Sequence, residues 1–106
     1  MPRLSPEAVE LVAERFRVLG EPTRLRLLNA LRPGERTVTE LVEAIGTTQA
    51  NVSKHLQVLH AAGFVRRRRE GTAVVYALAD PTVFRLCDLV CGRLDAALEK
   101  QRRALR

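Results

Sequence analysis

Cysteine is scarce in this 106-residue chain: Cys87 and Cys91 are the only two. That is too few for a disulfide framework, so a hydrophobic core must hold the fold and a cytoplasmic location is expected. Aromatic residues make up 4% of the chain, which leaves packing to Leu, Val and Ala. No apolar run resembles a signal peptide or approaches membrane-spanning length, so no membrane partner is expected. Internal repeats and low-complexity linkers are also missing. No Gly-rich pocket loop or triad-like spacing accompanies the two histidines, so an enzyme is not expected.

Hydrophobic residues reach 46%, enough for a folded chain. The length suits one domain, residues 1–106, with little room for a large private core. A formal net charge of +6 and a pI of about 10.6 favour a polyanionic partner. Of the 18 basic residues all but Lys54 and Lys100 are arginine. A GC-rich genome produces the same bias, so where the charge sits says more than its amount.

Ser5-Pro6 has the chemistry of a helix start, a capping hydroxyl followed by a proline in the first turn. Ala8, Val12, Phe16 and Leu19 then mark one face up to Gly20. Glu21-Pro22 opens a second helix with Leu25, Leu28 and Leu31 expected inward, ended by Pro33-Gly34. Thr37 and Glu40 have capping-box spacing, and Val38, Leu41, Val42 and Ile45 face the core before Gly46 stops the third helix.

Thr48 can cap a fourth helix reaching about Ala62. On a helical wheel Val52, Leu56 and Leu59 centre its buried side, while Ala50, Ser53, Lys54, Gln57 and Ala61 point away, with Gln49 at the exposed start. His55 falls at the boundary, which suits a packed or backbone-bonded histidine better than a DNA contact or a metal ligand. His60 is assigned no role. Phe64 to Arg69 and Thr72 to Leu78 read as two strands around a turn, with Val74, Tyr76 and Leu78 on one face. Asp80-Pro81 then caps a long fifth helix with the stripe Val83, Phe84, Cys87, Val90, Cys91, Leu94, Leu98 and Leu105. So long an apolar face on so small a domain implies a second copy packed against the first and last helices.

The expected fold is therefore mainly α with a small β-hairpin: a helix-turn-helix over 37–62, a wing over 64–78, and dimerisation helices over 5–19 and 81–105. This order, with Glu21-Pro22-Thr23-Arg24-Leu25-Arg26-Leu27-Leu28, Val52-Ser53-Lys54-His55-Leu56 and Ala62-Gly63-Phe64-Val65, resembles the ArsR/SmtB family of bacterial winged-helix repressors. The resemblance covers nearly the whole chain. It implies a homodimeric winged helix-turn-helix protein, helix order α1-α2-α3-α4-wing-α5, bound to double-stranded operator DNA until an inducer releases it.

In that setting Gln49 can pair with adenine N6/N7 and Ser53 can meet a base edge. Thr48 stands at the start of the same helix, and Lys54 and Gln57 can reach a base or a phosphate. Arg66, Arg67, Arg68 and Arg69 would hold the backbone without specifying sequence, and the family's wing enters the adjacent minor groove. Two copies would read half-sites about one helical turn, ~34 Å, apart.

No cofactor is expected for DNA binding itself. Of the family's known inducer sites, the cysteine motif of the third helix is missing from Glu40-Leu41-Val42-Glu43-Ala44. The zinc type would use the last helix, which has Asp88, Asp95 and Glu99 but no histidine. Cys87 and Cys91 remain. Residues at i and i+4 have Cβ atoms ~5–6 Å apart, against the ~3.5–4.5 Å of a disulfide. Two thiolates on one face could instead take As(III), Sb(III) or Hg(II). This metalloid inducer is the leading expectation. The alternatives are sensing of oxidants or reactive sulfur by the same thiols, and a repressor without a direct inducer whose cysteines only pack.

Overall fold

The computed structural model describes residues 3–105. Its elements run α1 (Pro6–Leu19), α2 (Pro22–Leu31), β1 (Arg36–Thr37), α3 (Val38–Ile45), α4 (Gln49–Ala61), β2 (Val65–Glu70), β3 (Ala73–Leu78) and α5 (Val83–Ala104). The starts follow local chemistry. Ser5 Oγ accepts from the Ala8 N–H ahead of α1, and Pro6 and Pro22 occupy first-turn positions where a missing N–H costs nothing. Thr37 and Glu40 close a capping box at 3.0 and 3.1 Å. Gly46 turns the chain between α3 and α4 with φ 78°, a left-handed conformation that other residues adopt at a cost.

The core is a leucine contact at the crossing of α2, α3 and α4. Leu27, Leu28, Leu31, Leu41, Val52, Leu56 and Leu59 are fully buried. The expected inward position of Leu25 is corrected: it is 40% exposed, and the α2 stripe runs through 27, 28 and 31. Those positions complete an i, i+3, i+4, i+7 pattern that begins at Arg24. A charged residue therefore stands at the head of the buried face, and a count of leucines alone misplaces the helix by a fraction of a turn.

The three strands form one antiparallel sheet in the order β1-β3-β2. The short β1 is not foreseen from the sequence, because two residues carry no visible alternation. Tyr76 joins the core with Val74 and Leu78 packed beside it, as the alternation along β3 implies. At α5 the cap differs from expectation. Thr82 is the boundary residue and its side chain makes no capping bond, while its backbone N–H donates to Asp80 Oδ1 at 2.9 Å.

Only the start of α5, Val83 and Phe84, is buried. Arg32 from the end of α2 covers the Phe84 ring at 4.5 Å and lies 3.8 Å from Asp88. Beyond it Leu89, Val90, Leu94, Leu98 and Leu105 are exposed, as are Val9, Leu11, Val12 and Phe16 on α1. Among the described residues no helix is long and apolar enough to cross a membrane.

The leucine contact sets an expected contrast in urea unfolding. Leu56→Ala should cost about 2–5 kcal/mol, and Leu25→Ala under about 1 kcal/mol. Equal losses would place the core elsewhere.

Candidate nucleic-acid interface

Burial of Val52, Leu56 and Leu59 turns the opposite side of α4 outward. Thr48 stands at its N-cap, where Oγ1 accepts from the Asn51 N–H at 3.1 Å. Gln49, Ala50, Lys54, Gln57 and Ala61 are exposed and Ser53 is half-buried, so the outer face carries amides, a hydroxyl and one ammonium.

The wing is the β2–β3 hairpin. Directly opposed residues of an antiparallel pair share a face. Arg67 lies opposite Tyr76 and Arg69 opposite Val74, and all four line the same groove as Gln49, Ser53 and Gln57 of α4. Arg68, opposite Val75, is held between Glu35 Oε1 at 2.5 Å and Glu70 Oε2 at 2.7 Å. Glu35 first and then Glu70 stabilise its charged form still further. The Arg66 guanidinium reaches the Leu78 carbonyl oxygen at 3.4 Å.

Between wing and helix lies an open groove of about 570 Å³. It gathers Gln49, Ser53 and Gln57 from α4 with Arg67, Arg68 and Arg69 from β2. Thr48, Lys54 and Arg66 are not among its lining residues. Thr37 and Thr39 do line it. Sequence reasoning misses them in this role, because Thr37 is legible only as a cap. The four arginines are not equivalent: two carboxylates already engage Arg68, a pairing that adjacency in sequence does not reveal.

A second polar cluster lies behind α4. His55 is 6% exposed, and its Nδ1 accepts a hydrogen bond from Arg24 Nε at 3.1 Å. The same guanidinium donates from Nη1 to the Val18 carbonyl oxygen of α1 at 3.2 Å. Glu21 Oε2 accepts from the Arg24 backbone N–H at 3.0 Å and lies 3.8 Å from His55 Nδ1. Burial pushes the imidazole below its ordinary pKa; Glu21 opposes that shift, and Arg24 and Lys54 add to it. Desolvation works against the charged form of Glu21, but the Arg24 N–H and nearby His55 outweigh it and hold the carboxyl below its usual value. Because Nδ1 accepts, the neutral ring carries its proton on Nε2.

Residues 21–67 match the model of the family described as bacterial regulatory protein, arsR family. That stretch contains the leucine contact, α4 and the first half of β2. The regulator NmtR of Mycobacterium tuberculosis is 42% identical over 85 residues, which cover 80% of this chain and 71% of that one. The chain belongs to the arsR family. The Streptomyces lividans protein named "Probable mercury resistance operon repressor" is 44% identical over 81 residues, 76% of this chain. The match spans 62% of that protein's length. Among solved structures, the homodimeric winged helix-turn-helix DNA-binding domain Mb0332 of Mycobacterium bovis superposes with a TM-score of 0.77 at 35% identity. It covers 94% of this chain and 95% of that one. Membership identifies a non-enzymatic transcription regulator and agrees with the five helices and small wing described above.

The expected As(III), Sb(III) or Hg(II) site at Cys87 and Cys91 is overturned. Among the described residues, no group of three or more His, Cys, Asp or Glu side chains is placed to hold a metal ion. Cys87 is half-buried and Cys91 exposed, both as free thiols, and Cys91 Sγ has Asp95 Oδ2 as a neighbour at 3.9 Å. Spacing along one helix supplies two sulfurs at most. Among the described residues no set of three donors forms around the pair.

The lowered pKa of His55 has a stability consequence. The unfolded chain binds this proton more readily than the native one, so stability is complete above about pH 6.5 and declines as pH falls below it. Glu40 and Asp80, held low chiefly by the backbone N–H groups of Thr37 and Thr82, lose their contribution only at more acidic pH. Urea unfolding between pH 7.5 and 5.5 should show declining stability for the native sequence and a flatter profile for His55→Asn. Parallel profiles would contradict this role of His55.

Proposed function

We propose that this chain is a homodimeric transcriptional repressor that reads operator DNA with α4 and steadies itself with the wing. The observation that carries this reading is the groove joining Gln49, Ser53 and Gln57 to Arg67 and Arg69. The Gln49 amide carries the donor and acceptor that an adenine edge takes, and Ser53 and Gln57 extend the same polar strip. Thr48 and Lys54 flank that strip. Arg67 and Arg69 face the same space and supply phosphate contacts or enter the adjacent minor groove. Arg66 serves the hairpin through the Leu78 carbonyl. Arg68 serves it through Glu35 and Glu70.

Residues 37–62 are the helix-turn-helix reading unit, 64–78 the wing, and 5–19 and 81–105 the dimerisation segments. Exposed apolar stripes on α1 and α5 are too extensive for a lone domain in water, and a second copy covers them. Cys87 and Cys91 belong to the α5 stripe and pack there as small hydrophobes, in a repressor without a direct inducer at these thiols. A two-fold dimer places its reading helices on half-sites ~34 Å apart. A regulator of bacterial genes works beside the chromosome, in the cytoplasm.

The test is fluorescence anisotropy with a labelled duplex from the chain's own upstream region, titrated across salt concentrations. Affinity should fall steeply with salt. Arg67→Ala and Arg69→Ala should each reduce the logarithmic slope by about 0.9 for every phosphate that is no longer neutralised. Arg68→Ala should change it less, since two carboxylates already share that charge. A larger effect at Arg68 than at Arg67 or Arg69 would contradict the assigned wing geometry.

A further inference from the structure

The DNA-reading face does not use the cluster behind α4, yet that cluster spans three helices. One guanidinium, Arg24, touches α1 at the Val18 carbonyl and α4 at His55, and its own backbone N–H is held by Glu21 at the start of α2. α1 is a proposed dimer helix and α4 the proposed reading helix. Arg24 is therefore a direct polar link between them, at the head of the leucine stripe that seats α4.

We propose that Arg24 and neutral His55 are positioning residues for DNA reading, fixing α4 against the end of α1, and that protonation of His55 releases the operator. The inference rests on the DNA-binding reading above. A proton can be added to this imidazole only at Nδ1, the atom that accepts from Arg24. Protonation removes that acceptor and sets two positive charges against each other. The new N–H has another partner close by, Glu21 Oε2 at 3.8 Å. A small turn of the ring toward Glu21 breaks the Arg24 contact and frees the guanidinium that reaches α1. The charged groups acting on His55 are Glu21 and Arg24 from the start of α2 and Lys54 from α4 itself. Glu21 favours the charged ring, and both cations oppose it.

The same labelled upstream duplex, at constant ionic strength between pH 7.5 and 5.5, supplies the probe. The native chain should lose affinity by about fivefold or more as pH falls, the lower end of typical coupling between sites. His55→Asn keeps an oxygen acceptor near the Nδ1 position and cannot become charged. It should bind close to the native level at pH 7.5 and hold that affinity at pH 5.5. His55→Leu keeps apolar volume without an acceptor and should bind weakly at every pH. Circular dichroism at each pH shows whether a variant remains folded.

A second measurement needs no variant. Coupling is reciprocal, so operator binding must lower the midpoint of the His55 titration seen in imidazole nitrogen NMR. Native and His55→Asn chains that bind with steep salt dependence and the same pH profile would overturn the proposal alone. So would a His55 midpoint unmoved by DNA. A native chain that ignores the duplex at every pH would overturn the DNA reading and this proposal together.

Discussion

Everything the outer surface does depends on how the inner face of α4 is seated. Leu27, Leu28 and Leu31 of α2 and Leu41 of α3 meet Val52, Leu56 and Leu59, all with 1% exposure or less. Burying one such side chain is worth about 1.5–3 kcal/mol, so a rotation that lifts two or three of them into water is prohibitive for a small domain. α4 is held in one orientation, and Gln49, Ser53 and Gln57 follow from it as an outward strip. The wing is tied to the same body through Val65 and Tyr76, both buried in the core. Arg67 and Arg69 therefore face the helix across a groove whose shape the core determines.

Polar contacts refine what the leucines set. Arg32 on Phe84 and beside Asp88 fastens the end of α2 to the start of α5. Arg24 fastens the beginning of α2 to α1 and α4. Through these two arginines α2 connects both α1 and the start of α5 to the body that seats α4. Exposed pairs such as Arg68–Glu35 contribute little to stability. Their effect is on which cations remain available to a polyanion.

Much of this is legible in the sequence because it is local. A capping box needs only the spacing of Thr37 and Glu40. The buried arc of α4 needs only the 3.6-residue period, and the alternation of Val74, Tyr76 and Leu78 only a period of two. Misses arise where a distant residue decides. Leu25 is expected inside because the stripe's first member is an arginine, which no hydrophobic count registers. Arg68 differs from its neighbours through Glu35, thirty-three positions away. His55 reads as a packed histidine at a boundary, but its partner on α2 cannot be named from the sequence. The i, i+4 spacing of Cys87 and Cys91 is real, but a metal site needs more than two donors, and among the described residues no group of three forms there.

The central claim is that the outer strip of α4 and the inner side of the wing form the surface that meets DNA. Amide and side-chain NMR of the dimer, with and without the upstream duplex, tests it most directly. The account predicts shift changes concentrated at Gln49, Ser53, Lys54, Gln57, Arg67 and Arg69, with the apolar stripe of α5 little changed. Changes confined to α1 and α5, with the α4 strip unmoved, would contradict it.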